Sequence, residues 1–298
     1  MPELPEVEVV RRGLAEHVTG RTLEHVELLG TRVARRHVAG PADLADQLAG
    51  ARLAEAGRRG KYLWLPVATA GSSTPDHGPI VHLGMSGQML VSTPGTPDQK
   101  HLHARFVFDD EGPELRFVDQ RTFGGLAWSP LRPGGVPEAV SHVALDPFDP
   151  TFDARATARE IKRRSSGIKR VLLDQRVVSG IGNIYADEAL WRAGIHGERP
   201  ASALTKPAIE RLLGHAREVM AEALEQGGTS FDALYVNVNG ASGQLNIALK
   251  RVEGSRRRVI SQSDLARQAL TKRFDSPTCS AANCHRSGSR SLRGAVCA

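Results

Sequence analysis

The apolar residues of this 298-residue chain change their repeat once along its length, and that change limits the folds open to it. From Thr22 to about Trp128 they come in short runs cut by turn residues: Tyr62 to Val67, Ile80 to Leu83, Arg105 to Phe108 and Leu115 to Val118. Short strands at such spacing predict a β-sandwich. The stretch Pro130 to Pro150 then holds five prolines and two adjacent glycines. Beyond it the repeat turns helical over Phe152–Arg164, Ile168–Leu173, Asn183–Ala193 and Lys206–Glu225. The last has Ile209, Leu212, Leu213, Val219, Met220 and Leu224 in register, and Gly227-Gly228 supplies its stop. Ahead of the strands, Val7, Val10, Leu14 and Val18 predict one more helix over residues 5–18. The fold class that follows is α+β and multidomain: an N-terminal β-sandwich with an N-terminal helix, then a helical region. A chain this long has room for two cores. The expected partition is 1–135, a linker at 136–150, 151–243, and an irregular basic tail at 244–298.

Charge sharpens the partition. The chain carries a net +6, yet from Lys250 onward there are 11 Lys/Arg against 3 Asp/Glu, and before it 28 against 30. The basic excess lies entirely in the tail, so nucleic-acid binding by the first 249 residues must come from local clusters. No stretch approaches the ~18 consecutive apolar residues of a membrane span. The N-terminus has Glu3, Glu6 and Glu8 where a secretory signal has an apolar stretch. Three cysteines, all late in the chain, give no disulfide framework. A cytoplasmic monomer is expected.

The opening string Pro2-Glu3-Leu4-Pro5-Glu6 carries the most specific chemistry. Removal of the initiator Met frees the secondary amine of Pro2. Such an amine titrates near ~8, against ~10.4 for lysine, so a useful fraction is nucleophilic at neutral pH. Attack on a sugar C1′ forms an iminium and releases the attached base, with Glu3 as general acid/base. The same string also reads as a plain start to a helix. Lys61, at the turn Arg59-Gly60-Lys61-Tyr62, is either a proton donor or a solvated lysine. Met85, between the glycines of Leu83-Gly84-Met85-Ser86-Gly87, is either core or a wedge that enters a base stack. Arg121 and Phe123 pair a guanidinium with an aromatic ring where a strand ends. Ser179 to Glu188 puts a glycine-flanked turn at a helix start, suited to a phosphate or to simple packing.

In this order the segments resemble the formamidopyrimidine-DNA glycosylases, relatives of endonuclease VIII, over roughly residues 1–243. The resemblance implies an N-terminal β-sandwich, a helix–two-turn–helix DNA-binding domain and a bifunctional glycosylase/lyase acting on damaged duplex DNA. It makes Pro2 the Schiff-base nucleophile, Glu3 the proton donor and Lys61 the donor for β-elimination. Met85, Arg121 and Phe123 become the residues that fill the space of a flipped base. His101 and Arg164 match DNA contacts, and Asn183 matches the phosphate-binding turn. The Met-Arg-Phe set points to oxidised purines, 8-oxoguanine and formamidopyrimidines, rather than to the endonuclease VIII specificity.

The resemblance stops after Gly243. The family continues with an aromatic pair and a zinc ribbon of two Cys-x₂-Cys pairs, whereas this chain has Gln244-Leu245 and only Cys279, Cys284 and Cys297. Tetrahedral zinc takes four ligands, and His285 is the sole extra candidate. No metal site is therefore assigned, and no cofactor is expected with it. A frame disruption near Gly243 would leave such a pattern; reading the nucleotide sequence in all three frames tests it. Loss of the ribbon opens a second reading, a DNA-binding family member with impaired or lost catalysis.

Overall fold

The computed structural model describes residues 2–69, 72–228 and 238. Helix α1 spans Leu4–Val18 and starts with Pro5 in its first turn, where proline's fixed φ suits helix entry and its missing N–H costs nothing. Glu3 caps it: the Glu3 backbone N–H donates to Glu6 Oε2 at 2.8 Å. Leu4, Val7, Val10, Leu14 and Val18 are each at most 1% exposed, so the expected apolar stripe is the buried one.

Two four-stranded antiparallel sheets follow. The first orders its strands as Leu23–Leu28, Leu102–Phe108, Glu114–Asp119 and Gly87–Ser92. The second runs Gly125–Ala127, Ile80–His82, Tyr62–Trp64 and Gly57–Arg59. Leu23, Met89, Phe106 and Phe117 of the first share one core with Leu63, Val81 and Leu126 of the second, and Val7, Val10 and Leu14 of α1 join them. Shared burial between two sheets makes this the expected sandwich. Strand Leu102–Phe108 alternates buried and half-buried residues along its whole length, the period of a pleated strand with one face inward.

Two local features differ from the sequence reading. Helix α2 spans Gly40–Leu48 inside the region read as strands, because Leu44 and Leu48 sit one turn apart and are both fully buried. The run Tyr62 to Val67 is two strands, broken at Leu65-Pro66, with Val67–Ala68 pairing to Arg52–Leu53 instead. Proline's missing N–H explains the break.

A second core is helical: α3 (Ala154–Lys162), α4 (Ile168–Leu173), α5 (Asn183–Ala193) and α6 (Lys206–Glu225). Asp153 caps α3, accepting from the N–H groups of Arg155 and Ala156, and Thr205 caps α6 through Ala208. Leu4 of α1 belongs to this second core rather than to the first. The proline-rich stretch between the cores is packed, not slack. Val140 and Val143 bury against Trp64 and Ile80, and Asp146 is 3% exposed. The tail from residue 244 lies outside the described residues, as do residues 229–243 apart from Val238.

Candidate active site and nucleic-acid interface

Strand register gathers the expected site residues on one rim of the sandwich. In the second sheet Leu63, Val81 and Leu126 form one row, so the ends at Tyr62, His82 and Gly125 lie together. Lys61, the Leu83–Ser86 turn and the Arg121–Gly124 loop are the residues just beyond those ends. Both connections cross to the first sheet at the same end, where Gly87 pairs with Asp119. The Asp119 N–H donates to the His101 carbonyl at 2.9 Å, which brings His101 to this rim as well.

At the inner end of the rim sits Glu3, 4% exposed, with Pro2 buried directly ahead of it. The helical core presses against this pair. Leu4 N–H donates to the Gly180 carbonyl at 3.1 Å. Gly180 has φ +87, and a Cβ there would lie 2.4 Å from Leu4 Cδ1. At Gly182 a Cβ would lie 2.0 Å from the Glu3 carboxyl carbon, so only glycine lets that carboxyl dock on the start of α5. The Ile184 backbone N–H bonds it there. One donor of the turn read as a phosphate cradle, the Ile184 N–H, is thus aimed at the protein's own carboxyl.

Burial pushes the Glu3 carboxyl up to about 7; Lys61 opposes the shift and Glu6 adds to it. Burial likewise pulls Lys61 below the usual lysine range, against the carboxylates of Glu3 and Glu6. Glu3 Oε2 is buried with no hydrogen-bond partner among the described residues. An acid that half-ionises near neutrality, beside a lysine, can give and take protons at physiological pH. Tyr185, in the fully buried face of α5, donates to Glu6 Oε1 at 2.7 Å and so ties the cap residue to the helical core.

The Lys61 turn is held by a buried ion network. Arg58 bonds Glu8 at 2.9 Å and Asp146 at 2.8 Å, and Asp146 also accepts from the Gly60 N–H at 3.1 Å. Desolvation works against the Glu8 anion, but Arg11 and Arg58 outweigh it and hold the carboxyl down at about 2.

The two outer loops lock to each other. A Cβ on Gly84, at φ +62, would lie 2.4 Å from the Gly124 nitrogen, so Met85 and Phe123 ride on adjoining turns. Asp119, fully buried, accepts from Ser86 Oγ at 2.6 Å and from the Gly124 N–H at 2.7 Å. Phe123 stands 45% exposed with the Arg121 guanidinium 5.6 Å from its ring centre. An exposed ring on a braced loop suits insertion into a base stack.

Two of the expected DNA contacts lie on the helical part. Asn183 is exposed as the first residue of α5. Arg164 is exposed and bonds Glu160 at 2.8 Å. Asn183 stands between Gly182 and Ile184, the residues that meet the Glu3 carboxyl, whereas Arg164 is tied to Glu160 of α3. The sequence reading gave no role to His82, whose Nδ1 is buried without a partner among the described residues. Burial, then Arg36 and Arg35, push its pKa down to about 4, so the ring is neutral beside Tyr62. Its place at the start of the glycine turn was the available signal. Asp146 gave none, because its partners are 86 and 88 residues away.

Among the described residues no group of three His, Cys, Asp or Glu side chains could hold a metal. Cys279, Cys284, His285 and Cys297 lie outside them, and three thiols do not make a four-thiolate site. No described helix is long and apolar enough to cross a membrane.

Residues 1–126 match the family model described as the formamidopyrimidine-DNA glycosylase N-terminal domain, and residues 143–233 match its H2TH domain. A formamidopyrimidine-DNA glycosylase of Nocardia farcinica is 60% identical over 255 residues, covering 84% of this chain and 86% of the relative. One of Salinispora arenicola is 56% identical over 253 residues, covering 84% of each. A Lactococcus lactis FPG mutant in complex with a Fapy-dG containing DNA superposes with a TM-score of 0.69 at 29% identity, covering 82% of this chain and 85% of that one. The Lactococcus lactis Fpg with an abasic site containing DNA gives 0.68 over the same shares. Fold and site together define a DNA glycosylase of base-excision repair. Within that class, the chain belongs to the formamidopyrimidine-DNA glycosylase family.

Proposed function

We propose that this chain excises oxidised purines, 8-oxoguanine and formamidopyrimidines, from duplex DNA through the freed amine of Pro2. The amine attacks C1′, the glycosidic bond breaks and the base leaves with the amine's proton; the C1′–O4′ bond then opens, giving an iminium between Pro2 and the sugar. Glu3 delivers the proton that opens the sugar ring. The Glu3 carboxylate, having given up its proton, takes one from C2′, and β-elimination expels the 3′ phosphate, with Lys61 as the donor to the leaving group. The observation that carries this reading is the buried Glu3 carboxyl, held near neutrality beside Lys61 and directly after Pro2. Met85, Arg121 and Phe123 fill the vacated space, while His101, Arg164 and Asn183 contact DNA. In this reading residues 1–135 carry the chemistry, 136–150 connect, and 151–243 grip DNA. The protein acts as a monomer on the nucleoid in the cytoplasm.

The second reading, binding without catalysis, is favoured by one observation: three cysteines where a four-cysteine ribbon is expected. Borohydride trapping on an 8-oxoguanine duplex separates the two. A covalent adduct that maps to the N-terminal peptide and is lost in Pro2→Gly supports the enzyme. Its absence at low salt, with binding intact, favours the second reading.

A further inference from the structure

The loop bearing Arg121 and Phe123 is gripped from two sides. On the inner side Asp119 takes its N–H groups: Arg121 N–H at 3.2 Å and Gly124 N–H at 2.7 Å, with Ser86 Oγ bridging to Arg121 N–H at 2.9 Å. On the outer side three consecutive carbonyls converge on one guanidinium. Arg35 donates to the Thr122 oxygen at 3.3 Å, the Phe123 oxygen at 2.5 Å and the Gly124 oxygen at 2.6 Å. The guanidinium is itself fixed by the Arg32 carbonyl at 3.0 Å, and Arg32 adds a bond to Thr122 at 3.4 Å. The backbones are pressed together there, since a Cβ on Gly125 would lie 2.6 Å from the Val33 oxygen. The loop needs such a grip because Thr122, a β-branched residue, sits at φ +55, a conformation that only its surroundings can hold.

We propose that Arg35 is a positioning residue for the base-stack wedge: its planar fork holds the Thr122–Gly124 carbonyls and so presets Arg121 and Phe123 before DNA arrives. The inference rests on the reading of Arg121 and Phe123 as the wedge. A fork is required, because an ammonium has the charge but cannot serve three carbonyls in one plane. The same cation read as a phosphate contact would act differently, weakening all duplexes alike and lowering the salt slope of binding.

The test uses the full chain and its Arg35→Gln and Arg35→Lys variants, each checked for an unchanged melting temperature. A duplex with 2-aminopurine opposite an 8-oxoguanine reports unstacking by stopped-flow fluorescence. Both variants are expected to slow that rise about tenfold, the scale of a lost charge-assisted bond. Affinity for undamaged duplex and its salt slope stay within twofold of wild type. Full rescue by Arg35→Lys, an unchanged fluorescence rise, or a uniform loss of affinity overturns the proposal. Unstacking needs no bond cleavage, so the fluorescence arm stays informative whatever Pro2 does. Failure of the wedge reading shows separately, as an unchanged fluorescence rise in Phe123→Ala, and failure of the Pro2 reading as a missing borohydride adduct with a normal rise.

Discussion

Glu3 shows at the scale of one residue how stability and chemistry are traded. Its carboxyl is raised from 4.5 to about 7 chiefly by burial, so the folded chain binds its proton more tightly than the unfolded chain. The stabilisation this gives is complete below about 4.5 and is lost as pH rises to about 7 and beyond. Glu3→Gln, which cannot ionise, is therefore expected to melt several degrees higher than wild type at pH 8 and no differently at pH 4. Calorimetry at both pH values checks this, and equal melting at pH 8 counts against it. The same variant is expected to lose base release by about 10²-fold or more, the usual weight of a general acid. In the wild type, release should fall as pH rises through 7 if proton donation limits it. Residues of this kind were legible to differing degrees. Pro2, Glu3 and Lys61 stand in short distinctive strings, while Arg35 takes its meaning from carbonyls 87 to 89 residues away and Asp119 in part from the Ser86 hydroxyl 33 residues away.

At the scale of elements, the hairpin joining Gly57–Arg59 to Tyr62–Trp64 carries Lys61, and its shape depends on a residue from the proline-rich stretch. Asp146→Ala removes the acceptor for the Gly60 N–H and leaves Arg58 with Glu8 and the Gly60 carbonyl. Breaking a buried pair in this way costs about 3–5 kcal/mol. The expected outcome is a loss of that order in urea unfolding, together with slower β-elimination at an abasic site. An unchanged elimination rate would separate the network from the lysine. Helices were the most readable elements: α4, α5 and α6 fall at the expected residues because each buries an apolar stripe, with a Gly194 stop on α5 and a Thr205 cap on α6. Helix α2 escaped because nine residues with two buried leucines carry too little pattern to stand out among short strands. The sandwich was legible from strand spacing. Which strand ends meet was not, since register depends on pairing partners separated by dozens of residues.

At the scale of the molecule, charge and chemistry are kept apart. The first 249 residues carry 28 basic and 30 acidic side chains, and the remainder 11 against 3. Binding to DNA should then draw much of its salt dependence from the tail. Changing Arg256, Arg257 and Arg258 to glutamine is expected to reduce the slope of log affinity against log salt by up to about 3, at roughly 0.9 per phosphate contact. Fluorescence anisotropy across a salt series measures it, and an unchanged slope assigns the contacts elsewhere. The helical and sheet cores meet through α1, whose Leu4 packs in one while Val7 and Val10 pack in the other. During synthesis this has a temporal meaning. In the proposed mechanism the Pro2 amine precedes α1, whereas the acid beside it docks on Gly182 and Ile184, which leave the ribosome much later. On that mechanism the acid is in place only once the helical half has been made and folded.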